Sequence, residues 1–230
     1  MKTIGLVGGT TWHSTLDYYR YFNEMIAAEV GEFDSAKVMI NSVNYGEIRK
    51  LQESDDWDSI SSIICKAAEA LEKGGADCIL LGANTMHHVA HHVQAKINIP
   101  LLNMAKETAL EIKKLNIDTV ALLGTKYTMQ LNFFKDILLE NGIETLIPNE
   151  DAMGKINSAI YDELSKGLLL DPTKKTFMEI IDQLAGLGAD GVILGCTEIP
   201  MLIKTQDCPL PLFDTTKIHA RAGVEFALGR

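Results

Sequence analysis

Among the side chains able to move protons or bind metals near neutral pH, this sequence has four cysteines and six histidines. Cys196 has the most informative setting. It ends the run Gly188-Ala189-Asp190-Gly191-Val192-Ile193-Leu194-Gly195 and is followed by Thr197-Glu198-Ile199-Pro200. The aliphatic stretch Val192 to Leu194, preceded by the amphipathic pattern Phe177 to Ala185, reads as a parallel strand covered on both faces. Cys196 then lies at the carboxyl end of that strand, where ligands bind in open α/β sheets, with small neighbours leaving the thiol accessible. The alternative is an inert buried thiol, since free cysteine is among the most buried residue types. Cys78, near the start of its own apolar run, reads as core. His87/His91 and His88/His92 are i, i+4 pairs, the spacing of helical zinc ligands. No Glu or Cys stands at a companion spacing, so a polar helix face is expected there and no metal.

The elements that position Cys196 are written twice. Gly75-Ala76-Asp77-Cys78-Ile79-Leu80-Leu81-Gly82-Ala83-Asn84-Thr85 matches the stretch beginning at Gly188 at an offset of 113 residues. Thr3-Ile4-Gly5-Leu6-Val7-Gly8-Gly9 matches Thr119-Val120-Ala121-Leu122-Leu123-Gly124-Thr125 at 116, and Pro100-Leu101-Leu102-Asn103 matches Pro211-Leu212-Phe213-Asp214 at 111. Three matches in one order at nearly one offset predict two similar α/β halves, because the period is too long for a solenoid. The expected fold is α/β with two pseudo-symmetric domains, each a parallel sheet with flanking helices, and an active site in the cleft between them. Residues 1–99 plus 212–230 form the first domain and 100–211 the second, with the last helix, Thr216 to Leu228, returning to the first. Cys196 would face its repeat counterpart, Ala83.

Composition narrows the class. At 230 residues, with 47% apolar and 23% charged, the chain can bury two cores and has no apolar run of membrane-spanning length. Met1-Lys2 leads directly into the first strand, so no signal peptide is expected, and four unpatterned cysteines suit a reducing cytoplasm. A formal net charge of −10 without a basic stripe disfavours nucleic acid. Gly8-Gly9-Thr10-Thr11 turns from the first strand into a helix from Leu16 to Ala28, a place where backbone N–H groups meet an anion. Neither a dinucleotide fingerprint nor a P-loop is present. Lys37 to Val43 reads as a strand and Ile60 to Lys73 as a helix.

Taken together, Gly8-Gly9 with Trp12-x-Ser14-Thr15, Asn84-Thr85-Met86-His87, Gly124-Thr125-x-x-Thr128-Met129, Ile160-Tyr161-Asp162-Glu163-Leu164 and Gly195-Cys196-Thr197-Glu198-Ile199-Pro200 resemble the aspartate/glutamate racemase family. The likeness is greatest to its broad-specificity and L-aspartate/glutamate branch and covers essentially the whole chain. It implies a cytoplasmic, cofactor-independent enzyme acting on a small amino acid, usually a homodimer, with no nucleic-acid or membrane partner. It also implies two cysteines, one from each half, on either side of the substrate α-carbon. Inversion through a planar carbanion needs one group to take the proton and another to return one to the opposite face. A thiolate can serve because its pKa, ~8.5 in the free residue, is tunable, provided the charge developing on the α-carboxylate is stabilised.

The resemblance places Asn84, Thr85, Thr197 and the turn from Thr125 to Thr128 as that stabilising set. Thr10, Gln52 and Lys166 match positions that contact substrate in the family. Lys166 is the candidate for a distal carboxylate, or else a solvated cation at a helix end. Glu198 is expected to orient Cys196 rather than to act as the base. At the first cysteine position this chain has Ala83, which neither gives nor takes a proton. Two readings of that departure stand, a substitution that disarms one base or a natural one-thiol member. His13 replaces a more usual Glu. Two rival functions remain open: a one-thiol decarboxylase of the same superfold, and a non-catalytic amino-acid binder.

Overall fold

A computed structural model describes all of residues 1–230, and the chain divides into two compact units, Met1–Met104 with Thr216–Arg230, and Ala105–Thr215. In chain order the first unit contains β1 (Ile4–Gly8), α1 (Trp12–Glu29), β2 (Val38–Ser42), α2 (Tyr45–Glu53), α3 (Trp57–Gly74) and β3 (Cys78–Leu81). A 3-10 turn, Asn84–Val89, runs into α4 (Ala90–Gln94). The second unit follows with α5 (Met104–Lys114), β4 (Thr119–Gly124), α6 (Lys126–Gln130), α7 (Asn132–Glu140), β5 (Glu144–Leu146) and α8 (Glu150–Asp162). After a 3-10 turn at Leu164–Lys166 come α9 (Asp171–Gly186), β6 (Val192–Gly195), α10 (Ile199–Leu202) and β7 (Leu212–Asp214), and α11 (Thr215–Leu228) closes the first unit.

Both sheets are parallel, in the orders β2-β1-β3 and β5-β4-β6-β7. The repeated glycines have a local cause. Gly75 and Gly188 take φ of +101° and +108°, a left-handed conformation that stops the preceding helix and that a side chain would strain. Ala76 and Ala189 are then buried, and the Asp77 and Asp190 N–H groups donate to the carbonyls of Thr3 and Thr119 at 2.8 and 2.9 Å. This docks β3 beside β1 and β6 beside β4. The third repeat is also structural: Leu101 forms a parallel bridge to Ile79, as Leu212 pairs with Val192.

Those pairings move the expected boundaries. Residues 100–104 remain with the first unit because Ile79 N–H donates to Pro100 O and Leu102 N–H to Ile79 O, each at 2.9 Å. Residues 212–215 remain with the second because β7 bonds to β6. The crossings therefore follow Met104 and Thr215 rather than residues 99 and 211. Helix α1 begins at Trp12, earlier than the pattern from Leu16 suggests, because Thr11 Oγ1 accepts the Ser14 N–H and caps it. Its buried stripe Tyr18, Phe22 and Ile26 repeats every four residues, and Phe22 and Leu80 meet α11 at Gly223. Apolar residues from α3, including Ile60, Ile64 and Leu71, pack with Ile79 and Leu81 of β3. In the second unit Phe177, Ile181 and Leu184 of α9 pack with Ile156 and Ile160 of α8 and with Val192 and Leu194 of β6.

Candidate active site

In the second unit, the carboxyl end of β6 carries Cys196, Thr197 and Glu198. Gly195 and its neighbour Gly124 on β4 are paired, and a Cβ on either would come within 2.9 Å of a backbone carbonyl of the other strand. Glycine is what lets the strand ends and the start of α6 approach. Cys196 Sγ donates to Glu198 Oε2 at 2.8 Å, and Thr197 Oγ1 donates to the same oxygen at 2.7 Å. Glu198 is buried and Cys196 half-buried. Burial first, and then the adjacent Glu198 charge, push the thiol well above its ordinary value, so it rests protonated with its proton held against a carboxylate. Glu198, expected to orient Cys196, is thus in direct contact with it as hydrogen-bond acceptor of the thiol.

Because β4 lies beside β6, Thr125 and Thr128 belong to the same end of the sheet. Thr125 caps α6, their hydroxyls are 3.2 Å apart, and both are buried. Lys166 closes the 3-10 turn whose Leu164 packs into the same core as Ile199, and its side chain is exposed.

In the first unit, β1 lies beside β3, which brings Thr10 and the segment Ala83-Asn84-Thr85 to one end of that sheet. Gly9 has φ +85°, and a Cβ there would stand 2.2 Å from Val43 O. Thr10, which follows, is 5% exposed and its Oγ1 has no hydrogen-bond partner within the protein. A buried orphan hydroxyl costs about 1–3 kcal/mol, so it marks a place where a ligand atom would be welcome. Gln52 is buried on α2 and Asn84 is buried at the start of the 3-10 turn. Thr85 is half-buried beside it. Ala83 precedes that turn in extended conformation, with φ −152° and ψ 141°. By the repeat, Ala83-Asn84-Thr85 stands where the second unit has Cys196-Thr197-Glu198, so neither the thiol nor its carboxylate has a counterpart. Cys78 is buried, its thiol pushed up to about 12 by burial, and it points to no such role.

The expectation of a polar helix face for the histidines fails at one of them. His91 and His92 are exposed and His88 packs edge-on against Trp57 at 4.5 Å, but His87 is 4% exposed and bonded internally. No group of three or more His, Cys, Asp or Glu side chains is gathered so as to hold a metal. His13 is exposed and lies against Trp12 at 3.6 Å between ring centroids. The sequence does not single out the buried trio Tyr18, His87 and His219. The periodicity of α1 marks Tyr18 as inward, but nothing in the spacing marks His219.

Two parallel α/β units with a thiol–carboxylate pair at one strand end define a class, and the sequence profile of the Asp/Glu/hydantoin racemases matches residues 7–223. The chain belongs to that family. A structure from Yersinia pestis assigned as an Asp/Glu racemase is 40% identical, with a TM-score of 0.94 over 99% of this chain and 100% of that one. An aspartate racemase homologue from Pyrococcus horikoshii OT3 is 37% identical, with a TM-score of 0.89 over the same shares. The broad specificity amino-acid racemase RacX of Bacillus subtilis is 25% identical over 169 residues, 74% of this chain and 73% of RacX. No helix is long and apolar enough to cross a membrane.

Proposed function

We propose that this chain moves the α-proton of acidic amino acids, aspartate or glutamate, as a racemase that uses neither pyridoxal phosphate nor a metal. The observation that carries the reading is the Cys196 thiol 2.8 Å from the buried Glu198 carboxylate at a strand end. In the resting pair the proton is on sulfur. Its transfer to Glu198 leaves a thiolate, which takes the α-proton and becomes a thiol again while the electron pair delocalises onto the α-carboxylate. Hydrogen-bond donors at Thr10, Asn84, Thr85, Thr125, Thr128 and Thr197 hold that developing charge, and Lys166 meets the distal carboxylate. Gln52 lines the same end of the first unit's sheet. Cys196 serves one face of the α-carbon, and Ala83, its repeat counterpart, brings no proton-carrying group to the other. Four unpaired cysteines agree with a reducing cytoplasm. We take the working form to be a homodimer, which sedimentation tests.

Ala83 favours a second, narrower form of this reading. With no group of proton affinity at position 83 or at Thr85, proton return from the opposite face falls to water, and exchange outruns inversion. The test follows α-deuterium incorporation from D2O by NMR, and optical rotation, for both enantiomers of aspartate and glutamate. Exchange faster than inversion, lost in Cys196→Ser and converted to rapid inversion in Ala83→Cys, is the expected result, since members of a catalytic pair act as a unit. Binding without any exchange would make the protein a non-catalytic binder. Loss of carbon dioxide from a malonate-type acid would make it a decarboxylase.

A further inference from the structure

The first unit buries a constellation that the proposed chemistry has not used. His219 is fully buried on α11 and His87 nearly so, with ring centroids 5.4 Å apart and planes at 70°. Their partners fix opposite tautomers. Carbonyl oxygens only accept, so His219 Nε2–H donates to Leu102 O at 2.8 Å and its Nδ1 accepts from the Tyr18 hydroxyl at 2.7 Å. By the same logic His87 Nδ1–H donates to Ala83 O at 3.1 Å, and its Nε2 accepts the Met104 N–H at 3.2 Å. Burial holds both rings neutral, and each has both nitrogens committed.

The bond to Ala83 has the wider reach. In the 3-10 turn that follows, Ala83 O receives the Met86 N–H at 3.3 Å, where an α-helix would bring the N–H of residue 87. The imidazole of residue 87 supplies a second donor to that same oxygen. Because a peptide is planar, gripping the carbonyl of residue 83 also fixes the N–H of Asn84 and the start of the Asn84-Thr85 segment. Met104 and Leu102, the other carriers of the pair's bonds, lie where the chain is about to leave the unit, and His219 lies just past its return.

We propose that His87 is a positioning residue: through the Ala83 carbonyl it orients the 83–84 peptide and so holds Asn84 and Thr85 for the substrate carboxylate, with His219 packed behind it. What the segment holds rests on the racemase reading; the grip itself does not. Two substitutions separate the bonds. His87→Gln places an amide oxygen within reach of the Met104 N–H but no donor beside Ala83 O. His87→Asn keeps a donor near the Nδ1 position and takes the imidazole acceptor away from the Met104 N–H.

The measurements are thermal midpoint, amide hydrogen exchange at Met86 and Met104 by NMR, glutamate affinity by calorimetry, and α-proton exchange in D2O. His87→Gln should keep its midpoint and affinity, lose protection at Met86, and slow α-proton exchange about a hundredfold, the effect of a small misplacement of oriented groups. His87→Asn should lose protection at Met104 and several degrees of midpoint, yet keep Met86 protection and exchange within about threefold of the parent. Exchange that simply follows the midpoint in both variants would reduce His87 to a structural residue and overturn the proposal. A parent inert toward every acidic amino acid would sink the racemase reading, and the grip would then be judged on Met86 protection alone, equal protection in both variants overturning it. Should neither variant fold, the ¹⁵N shifts of the parent imidazole decide: an Nδ1–H tautomer at His87 supports the grip and an Nε2–H tautomer removes it.

Discussion

Acidification should cost this protein stability well above the pH at which carboxylates protonate, because it buries two neutral histidines. Burial lowers His87 to about 4 and, with His87 adding to it, lowers His219 to about 3. In the unfolded chain both return to ~6.5. Between roughly pH 6.5 and 4 the unfolded state therefore binds two protons that the folded state refuses, so stability is complete above that window and falls as pH drops through it. The slope is about 1.4 kcal/mol per pH unit for each ring. Taking protonation of the unfolded state into account, moving from about pH 7 to about pH 5 removes roughly 2 kcal/mol per ring, about 4 for the pair. Against a typical total of about 5–15 kcal/mol, this is a large share. Urea titrations followed by circular dichroism at the two pH values give the loss directly. His219→Gln should be less stable at neutral pH and should lose about 2 kcal/mol less than the parent on acidification, a difference in which His88, also lowered by burial, cancels. If parent and variant lost the same amount, the two rings would not be held neutral by the fold, and the tautomer argument would fail with it.

Three further outcomes follow from the site. If the Cys196 proton passes to Glu198, resting and reactive states hold the same number of protons, so the α-proton exchange rate should be flat with pH near neutrality; in Glu198→Gln it should fall and then rise about tenfold per pH unit as solvent must take the proton. Thr10→Val keeps the shape and deletes a hydroxyl that has no internal partner, so the midpoint should hold or rise while glutamate affinity weakens about tenfold; unchanged affinity in calorimetry would remove Thr10 from the site. Gly9→Ala forces a side chain onto a left-handed backbone with Val43 O only 2.2 Å from its Cβ, and a loss of about 2 kcal/mol or more is expected in urea titration.

What could be read in the sequence was the part of the structure that local chemistry dictates. A glycine that must stop a helix at positive φ, an alanine that must fit under a sheet and an aspartate that bonds back to the neighbouring strand recur 113 residues apart, so Gly75-Ala76-Asp77 and Gly188-Ala189-Asp190 disclosed both strand pairs and put Cys196 at a strand end. Boundaries were less legible because they depend on pairing at a distance: Leu101 and Leu212 look like linker residues until their bonds to Ile79 and Val192 assign them to the halves they appear to leave. Burial of single polar residues was least legible. His87 and His91 share a spacing and a helical run, yet one ring is enclosed and the other exposed, because only His87 meets His219, a residue brought to it from 132 positions away by the return of the last helix. The asymmetry at position 83 follows the same division. That an alanine stands opposite a cysteine in the repeat is plain from the sequence, but that the cysteine alone has a carboxylate for its proton emerges only when Glu198 folds back onto Sγ. A thiol placed at position 83 would therefore still lack the partner that Cys196 has, since Thr85 stands where the second unit has Glu198. Enantiomers interconvert with an equilibrium constant of one, so on the proposed racemase reading kcat/KM of Ala83→Cys must be equal in the two directions, and the asymmetry should appear instead as faster α-proton exchange without inversion for the enantiomer whose proton Cys196 removes.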